Sequence, residues 1–221
     1  MERDKKIVVM AKQVPDTRNV GKDAMTPEGT VNRAALAAIF NPEDLNALEM
    51  ALEIKERVAG SEVYVLTMGP QRASDVIREA MFRGADGGYL LSGKEFAGSD
   101  TLATSYALSL ALRKIEPDII VAGRQAIDGD TAQVGPQVAE KLDLPQITYA
   151  EELVDINDTE ITIKRRLERG SEVVVSPLPA LITVNSSAKE CRPRNAKRVM
   201  KYKRALATSE MANVDAQWNA F

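Results

Sequence analysis

The residues best equipped for chemistry stand together in one run, Gly123-Arg124-Gln125-Ala126-Ile127-Asp128-Gly129-Asp130-Thr131-Ala132-Gln133-Val134-Gly135-Pro136. It follows Asp118-Ile119-Ile120-Val121-Ala122, a short β-branched stretch of the kind buried on both faces of a sheet, and precedes helix formers from Gln137 to Leu142. A strand, a glycine-rich turn and a helix start make an anion site. The first backbone N–H groups of the helix lack intrahelical acceptors and point past the end of the strand, with the positive end of the helix dipole behind them. Glycine at 123, 129 and 135 lets the backbone take positive φ and approach a ligand closely. Thr131 can cap the helix or donate to a phosphate oxygen. Asp128 and Asp130 bring negative charge, which suits caps or acceptors for ribose hydroxyls or a base amine better than phosphate neighbours. Pro136 has no N–H and belongs in the first helical turn, so the helix should begin between Thr131 and Gly135. Spacing alone also fits a well-capped βα turn with no ligand.

Composition narrows the chemistry. The 221 residues include no histidine and one cysteine, Cys191. Ser-His-Asp, Cys-His and Cys/His zinc arrangements are therefore excluded, as is an internal disulfide, and any redox work must be carried by a bound cofactor. A net charge of −3 gives no global electrostatic case for nucleic acid. The opening apolar run, Ile7 to Ala11, is too short for a signal peptide or a membrane span, and no later run reaches that length, so a cytoplasmic protein without membrane insertion is expected.

The elements that must position this loop read as alternating strands and helices. Lys6 to Ala11 is a buried strand, and Lys12 follows in the first βα loop, either solvated or in contact with a nucleotide or partner. Arg18 to Phe40 reads as an irregular connection of a length that often serves an interface. Asn41-Pro42-Glu43-Asp44 announces a helix, with Asn41 as N-cap, Pro42 at its first position, acidic residues in the first turn, and Leu45, Leu48 and Leu52 on the core face. Ser61 to Thr67 is a second strand. Met68-Gly69-Pro70 leads to a helix with Val76, Ile77, Ala80 and Met81 on its apolar side, ended at Gly84. Gly88 to Leu91 is a third strand, and Asp100 caps an Ala/Leu-rich helix reaching about Ile115. Such alternation specifies an α/β fold, a doubly wound, mostly parallel sheet of the Rossmann-like kind. Ligands of these folds bind beyond the strand C-termini at a topological switch point, where Met10, Asn41, Met68 and the loop from Gly123 to Val134 converge. Met68 also suits core filling.

After Pro145 the pattern changes to short antiparallel strands, Glu152 to Asp155, Ile161 to Lys164 and Val173 to Val175, joined by turns at Asn157-Asp158 and Arg169-Gly170. Ala180 to Val184 is one more buried strand. From Lys189 the chain turns basic, through Arg192, Arg194, Lys197, Arg198, Lys201, Lys203 and Arg204, and the tail from Ala207 to Phe221, with Trp218, is expected to lie on another subunit. Residues 1–189 thus read as the nucleotide-binding α/β domain with a β extension at about 150–176, and residues 190–221 as a basic segment and C-terminal arm.

The literal residues resemble a known family. The loop from Gly123 to Pro136 is similar to the nucleotide-binding segment of the β subunit of electron-transfer flavoproteins. Val9-Met10-Ala11-Lys12-Gln13-Val14-Pro15-Asp16-Thr17, Asn41-Pro42-Glu43-Asp44 and Thr67-Met68-Gly69-Pro70 agree with that family in order and spacing, so the resemblance runs from about Lys6 to Lys203. It implies a nucleotide held by Met10, Ala11, Asn41, Pro42, Glu43, Asp44, Met68, Gly123, Arg124, Gln125, Ala126, Ile127, Asp128, Gly129, Asp130, Thr131, Ala132, Gln133 and Val134. It also implies a heterodimer with an FAD-carrying α subunit, acting as an electron carrier to an acyl-CoA dehydrogenase-type partner. Gly129 and Ala132-Gln133-Val134 resemble the electron-bifurcating members, in which the β subunit holds a second FAD and the complex also works with NADH and ferredoxin or flavodoxin. Other members hold a structural AMP. The basic segment corresponds to the family's docking region, with Ala196 where many relatives carry a larger apolar anchor. Outside the electron carriers, a free-standing ATP-binding module is the alternative, although Lys12 to Thr17 contains no glycine of the kind an ATP-splitting ligase places there.

Overall fold

The computed structural model describes residues 4–16, 37–206 and 208. Thr17, most of the expected irregular connection, and the tail bearing Trp218 and Phe221 lie outside the described residues. The elements run β1 (Lys6–Met10), β2 (Gln13–Pro15), β3 (Ala38–Phe40), α1 (Pro42–Arg57), β4 (Glu62–Met68), α2 (Ser74–Arg83), β5 (Gly87–Leu91), α3 (Thr101–Ile115) and β6 (Ile119–Gly123). They continue with α4 (Val134–Leu142), β7 (Gln146–Ile156), β8 (Glu160–Leu167), β9 (Gly170–Pro177), β10 (Ala180–Val184) and α5 (Ala196–Tyr202).

Eight strands form one sheet in the order β5-β4-β1-β6-β10-β7-β8-β9. The first six are parallel neighbours and the last two pairings are antiparallel. The mostly parallel, doubly wound α/β fold expected from the alternation is what the chain adopts. The antiparallel strands are longer than expected and are continuous with the main sheet, because β7 pairs on one side with β10 and on the other with β8.

Strand periodicity explains the layers. Ile7 and Val9 of β1 face one core, shared with Leu48, Leu52 and Ile54 of α1 and Ile77 and Met81 of α2. Val8 and Met10 face the other, shared with Leu108 and Leu112 of α3 and Val138 of α4. A parallel strand covered by helices on both faces has no wet side, so its sequence is continuously apolar. Each large side chain buried this way contributes about 1.5–3 kcal/mol.

The chain runs from β1 outward to β4 and β5, then crosses back to place β6 on the opposite side of β1. The switch point therefore lies between Met10 and Gly123. The last residues of the connection expected to be irregular are a strand: β3 pairs with β2, Gln13 opposite Phe40. This ribbon, with Asn41 N–H donating to the Lys12 carbonyl at 3.0 Å, sets the start of α1 beside the end of β1.

Candidate functional site

The N-cap residue and two first-turn residues of α1 hold the switch point together. The Asp44 carboxylate accepts from Lys12 N–H at 2.8 Å and from Gly123 N–H at 3.0 Å, joining the ends of β1 and β6. Asn41 stands at the N-cap position as expected, but its side chain does not cap the helix. It donates to the Gln125 carbonyl at 2.9 Å and accepts from Ile127 N–H at 3.1 Å. Glu43 accepts from the Arg124 guanidinium at 2.9 Å and from Gln125 N–H at 3.0 Å. The tetrapeptide recognised as a helix start is also the scaffold of the loop. Burial pushes the Asp44 carboxyl up to about 7 against the pull of its hydrogen bonds.

The glycines work differently from the expectation of positive φ. Gly123, Gly129 and Gly135 all lie outside the left-handed region, which is occupied instead by Asp130 (φ 49°) and Ala132 (φ 52°). Gly123 is needed for close approach, because a Cβ there would fall 2.7 Å from the Glu43 carbonyl carbon and 2.8 Å from Asp44 N. At Gly135 it would meet Thr183 Cγ2 at 2.7 Å, so that glycine lets α4 pack on β10. At Gly129 it would meet nothing within 4 Å.

The helix starts within the expected window, at Val134, and Pro136 sits in its first turn. Thr131 does not cap it. The N-cap position is Gln133, which makes no side-chain cap bond and accepts instead from Thr101 Oγ1 at 2.8 Å. Ala132 in the left-handed region followed by Gln133 at φ −98° gives the alternation that turns successive N–H groups toward one point. Among the described residues, the N–H groups of Thr131, Ala132, Gln133 and Val134 donate to no acceptor.

The four residues that carry these donors line a cavity of about 600 Å³. Of the expected site residues, Met10, Ala11, Asp44, Met68, Gly123, Arg124, Gln125, Ala126, Gly129, Asp130, Thr131, Ala132, Gln133 and Val134 line it. Asn41, Pro42, Glu43, Ile127 and Asp128 do not. Asn41 and Glu43 brace the loop from behind, and Asp128 is turned inward with its side chain 4 % exposed, paired with Lys12 Nζ at 2.7 Å. Asp130 accepts from Gln125 Nε2 at 2.8 Å. Met10, Leu66, Met68, Phe96 and Leu108 make an apolar end, and the loop makes a polar one.

One wall was missed. Phe96 and Gly98-Ser99-Asp100-Thr101, between β5 and α3, close the cavity on its third side. Asp100 does cap α3, accepting from Ala103 N–H at 2.8 Å. The available signal was position, since this connection leaves the C-terminal end of a third parallel strand.

Three residues of the basic run pair with carboxylates of the α/β domain. Arg192 pairs with Glu49 at 2.9 Å and with Glu56, Lys189 with Glu53 at 2.7 Å, and Arg194 with Glu79 at 2.9 Å, on α1 and α2. Glu49 is buried, and Arg192 beside it holds its carboxyl below the usual range although burial opposes this. Among the described residues, no helix is long and apolar enough to cross a membrane and no acidic, cysteine or histidine group could hold a metal ion.

Comparison with known proteins agrees with the fold. Residues 28–209 match the family described as the electron transfer flavoprotein domain. The chain is 50 % identical over 181 residues to the acryloyl-CoA reductase electron transfer subunit gamma of Anaerotignum propionicum, covering 80 % of this chain and 66 % of that one. It is 49 % identical over 179 residues to the caffeyl-CoA reductase-Etf complex subunit CarD of Acetobacterium woodii, covering 80 % and 67 %. To the electron transfer flavoprotein subunit beta of Megasphaera elsdenii it is 45 % identical over 217 residues, covering 95 % and 78 %. For several of these relatives the match spans about two thirds of their length. With more than half the chain matched and relatives near half identity, this protein belongs to the electron transfer flavoprotein family, on the side of its beta subunits.

Proposed function

We propose that the chain is the nucleotide-binding beta subunit of a heterodimeric electron-transfer flavoprotein and that it holds FAD. The observation that carries this reading is the set of unpaired N–H groups of Thr131 to Val134, residues that line the 600 Å³ cavity, with open space over Gly129. Such donors at a helix N-terminus suit a pyrophosphate, and the apolar end at Met10, Leu66, Met68 and Leu108 suits an adenine. A bound flavin would supply the electron transfer for which the chain has no side chains. The residues of the chain would position it: Asp44, Asn41 and Glu43 fix the loop, the loop amides hold the phosphates, and Lys12 neutralises Asp128. On this reading the wider complex bifurcates electrons from NADH between ferredoxin or flavodoxin and an acyl-CoA dehydrogenase-type partner, as expected for the members this loop resembles. We assign residues 1–189 to nucleotide binding and residues 190–221 to partners, with Lys197 and Lys201 on α5 as the outward charges.

A structural AMP is the second reading, favoured by the carboxylate of Asp130 in the cavity wall. Releasing the nucleotide from purified protein by acid and identifying it decides between them. FAD at one equivalent per chain, beyond any carried by a co-purifying subunit, is expected; AMP would overturn the FAD assignment, and ATP with turnover would overturn the carrier reading as well.

A further inference from the structure

The connection from β5 to α3, which closes the cavity on its third side, is held differently from the other walls. We propose that its middle, Gly93 to Gly98, is a gate over the apolar end of the cavity, with Phe96 as its latch, and that it opens for nucleotide entry and release; the gate rests on the nucleotide-binding reading above.

The frame of the gate is fixed at both ends. At the end of β5, the Leu91 carbonyl accepts from Gly69 N–H at 3.0 Å. At the start of α3, the Asp100 carbonyl accepts from Thr104 N–H at 3.0 Å, and its carboxylate accepts from Ala103 N–H at 2.8 Å. Thr101 Oγ1, donating to Gln133 Oε1 at 2.8 Å, fastens this end to the turn before α4. Between those points the chain is held only by itself. Lys94–Phe96 is a single 3₁₀ turn. The N–H groups of Phe96, Ala97 and Ser99 donate to the carbonyls of Gly93, Lys94 and Phe96 at 3.2, 3.2 and 3.3 Å, longer bonds than those of the frame. Among the described residues, no side chain from Ser92 to Ser99 makes a hydrogen bond or ion pair. Segments with so few outside bonds lie at the low end of local stability, from which the moving parts of binding sites are drawn.

Phe96 carries the case. It is the one aromatic residue lining the cavity, and among the described residues it belongs to neither apolar core. A half-buried ring that serves no core and lines a cavity gains its remaining contact from the occupant. Gly98 supplies the hinge. Its φ is 77°, in the left-handed region, and an added Cβ would meet nothing within 4 Å. The backbone conformation therefore requires this glycine, and close approach does not, the reverse of Gly123. Lys94 and Glu95 are exposed, so an outward swing of the turn desolvates no charge.

The test uses the full chain as purified, with any co-purifying subunit, stripped of nucleotide. Association of radiolabelled ADP is followed by rapid filtration and its release by a chase of unlabelled ADP. Phe96→Ala removes the latch, and Gly98→Ala keeps the latch but penalises the closed turn through its left-handed φ. In each variant association and release should quicken together, by about five- to tenfold, with Kd changed by less than about threefold. In the wild type, ADP should slow hydrogen exchange in a peptide spanning residues 92–100. Phe96→Ala that speeds release alone, with Gly98→Ala leaving both rates unchanged, would overturn the gate and leave a static wall. Exchange in that peptide unaltered by ADP would overturn it too. Wild-type protein that binds no ADP would overturn the nucleotide reading itself.

Discussion

Replacing Gly123 with alanine tests whether the switch point is built on contact or on backbone conformation. Gly123 lies outside the left-handed region, so conformational strain predicts little, and restriction of the unfolded chain alone would make alanine stabilising by about 0.4–1 kcal/mol. Contact predicts the opposite. The new methyl would lie 2.7 Å from the Glu43 carbonyl carbon and 2.8 Å from Asp44 N, backbone atoms that cannot rotate away. Relief requires the start of α1 to lift from β6. Overpacking of this kind costs about 1–3 kcal/mol. Lifting also lengthens the 3.0 Å bond from Gly123 N–H to the buried Asp44 carboxylate, and losing it adds about 1.5–3 kcal/mol. After subtracting the unfolded-state gain, a net loss of about 2–5 kcal/mol is expected. For a chain of this size that lowers Tm by about 4–20 °C. Guanidinium unfolding of nucleotide-free protein should show the midpoint falling with m unchanged. Gly129→Ala is the control. With nothing within 4 Å of its Cβ, it should hold stability within about 0.5 kcal/mol. A Gly123→Ala protein less than about 1 kcal/mol below wild type would refute the close-approach argument.

Asp44 should leave a signature in the pH dependence. Its folded pKa, near 7, exceeds the unfolded value of 3.8, so between those values the folded state binds the extra proton and its stability falls as pH rises, by up to about 1.4 kcal/mol per pH unit. The stability difference between wild type and Asp44→Asn should shrink across pH 4 to 7 and level off above it; a difference constant with pH, measured by urea unfolding, would count against a raised pKa. The basic segment should divide into two classes. Arg192→Met leaves the buried Glu49 carboxylate with Lys189, at 3.4 Å, as its remaining cation and should cost about 3 kcal/mol, whereas Lys197→Glu with Lys201→Glu should leave stability and bound nucleotide intact. The double reversal should instead slow electron transfer to an acidic partner, an effect fading between about 0.01 and 0.15 M salt; stopped-flow rates insensitive to both would remove the docking role.

The fold was legible because each central strand is short, β-branched and apolar on both sides, a pattern that Ile7 to Met10 and Ile119 to Ala122 can satisfy only between two helical layers. The loop was legible because strand end, glycines and helix start are contiguous in the chain. Legibility ended where contacts are distant. The Arg192–Glu49 pair joins residues 143 apart, and no local rule pairs a basic run with one helix face across that gap. Small residues such as Gly98 and Ser99 read as ordinary linker, so the third wall of the cavity carried no residue-type signal. The roles of Gly123 and Gly135 depend on what packs over them, which is tertiary information; a glycine codon reports only that a side chain is absent.

The position of β10 has a consequence for the order in which the molecule can be completed. It is the last strand of the sheet in sequence, yet it stands between β6 and β7. Until it is inserted, the parallel half and the antiparallel hairpins are two separate sheets with unpaired edges facing each other. Thr183 of this strand is also what Gly135 at the start of α4 rests against. During synthesis, therefore, four of the strands around the cleft exist well before the surface that seats the amide-bearing turn. The packing of a segment near residue 130 is completed only when residues near 180 arrive, so the turn before α4 is seated by a contact that depends on long-range closure.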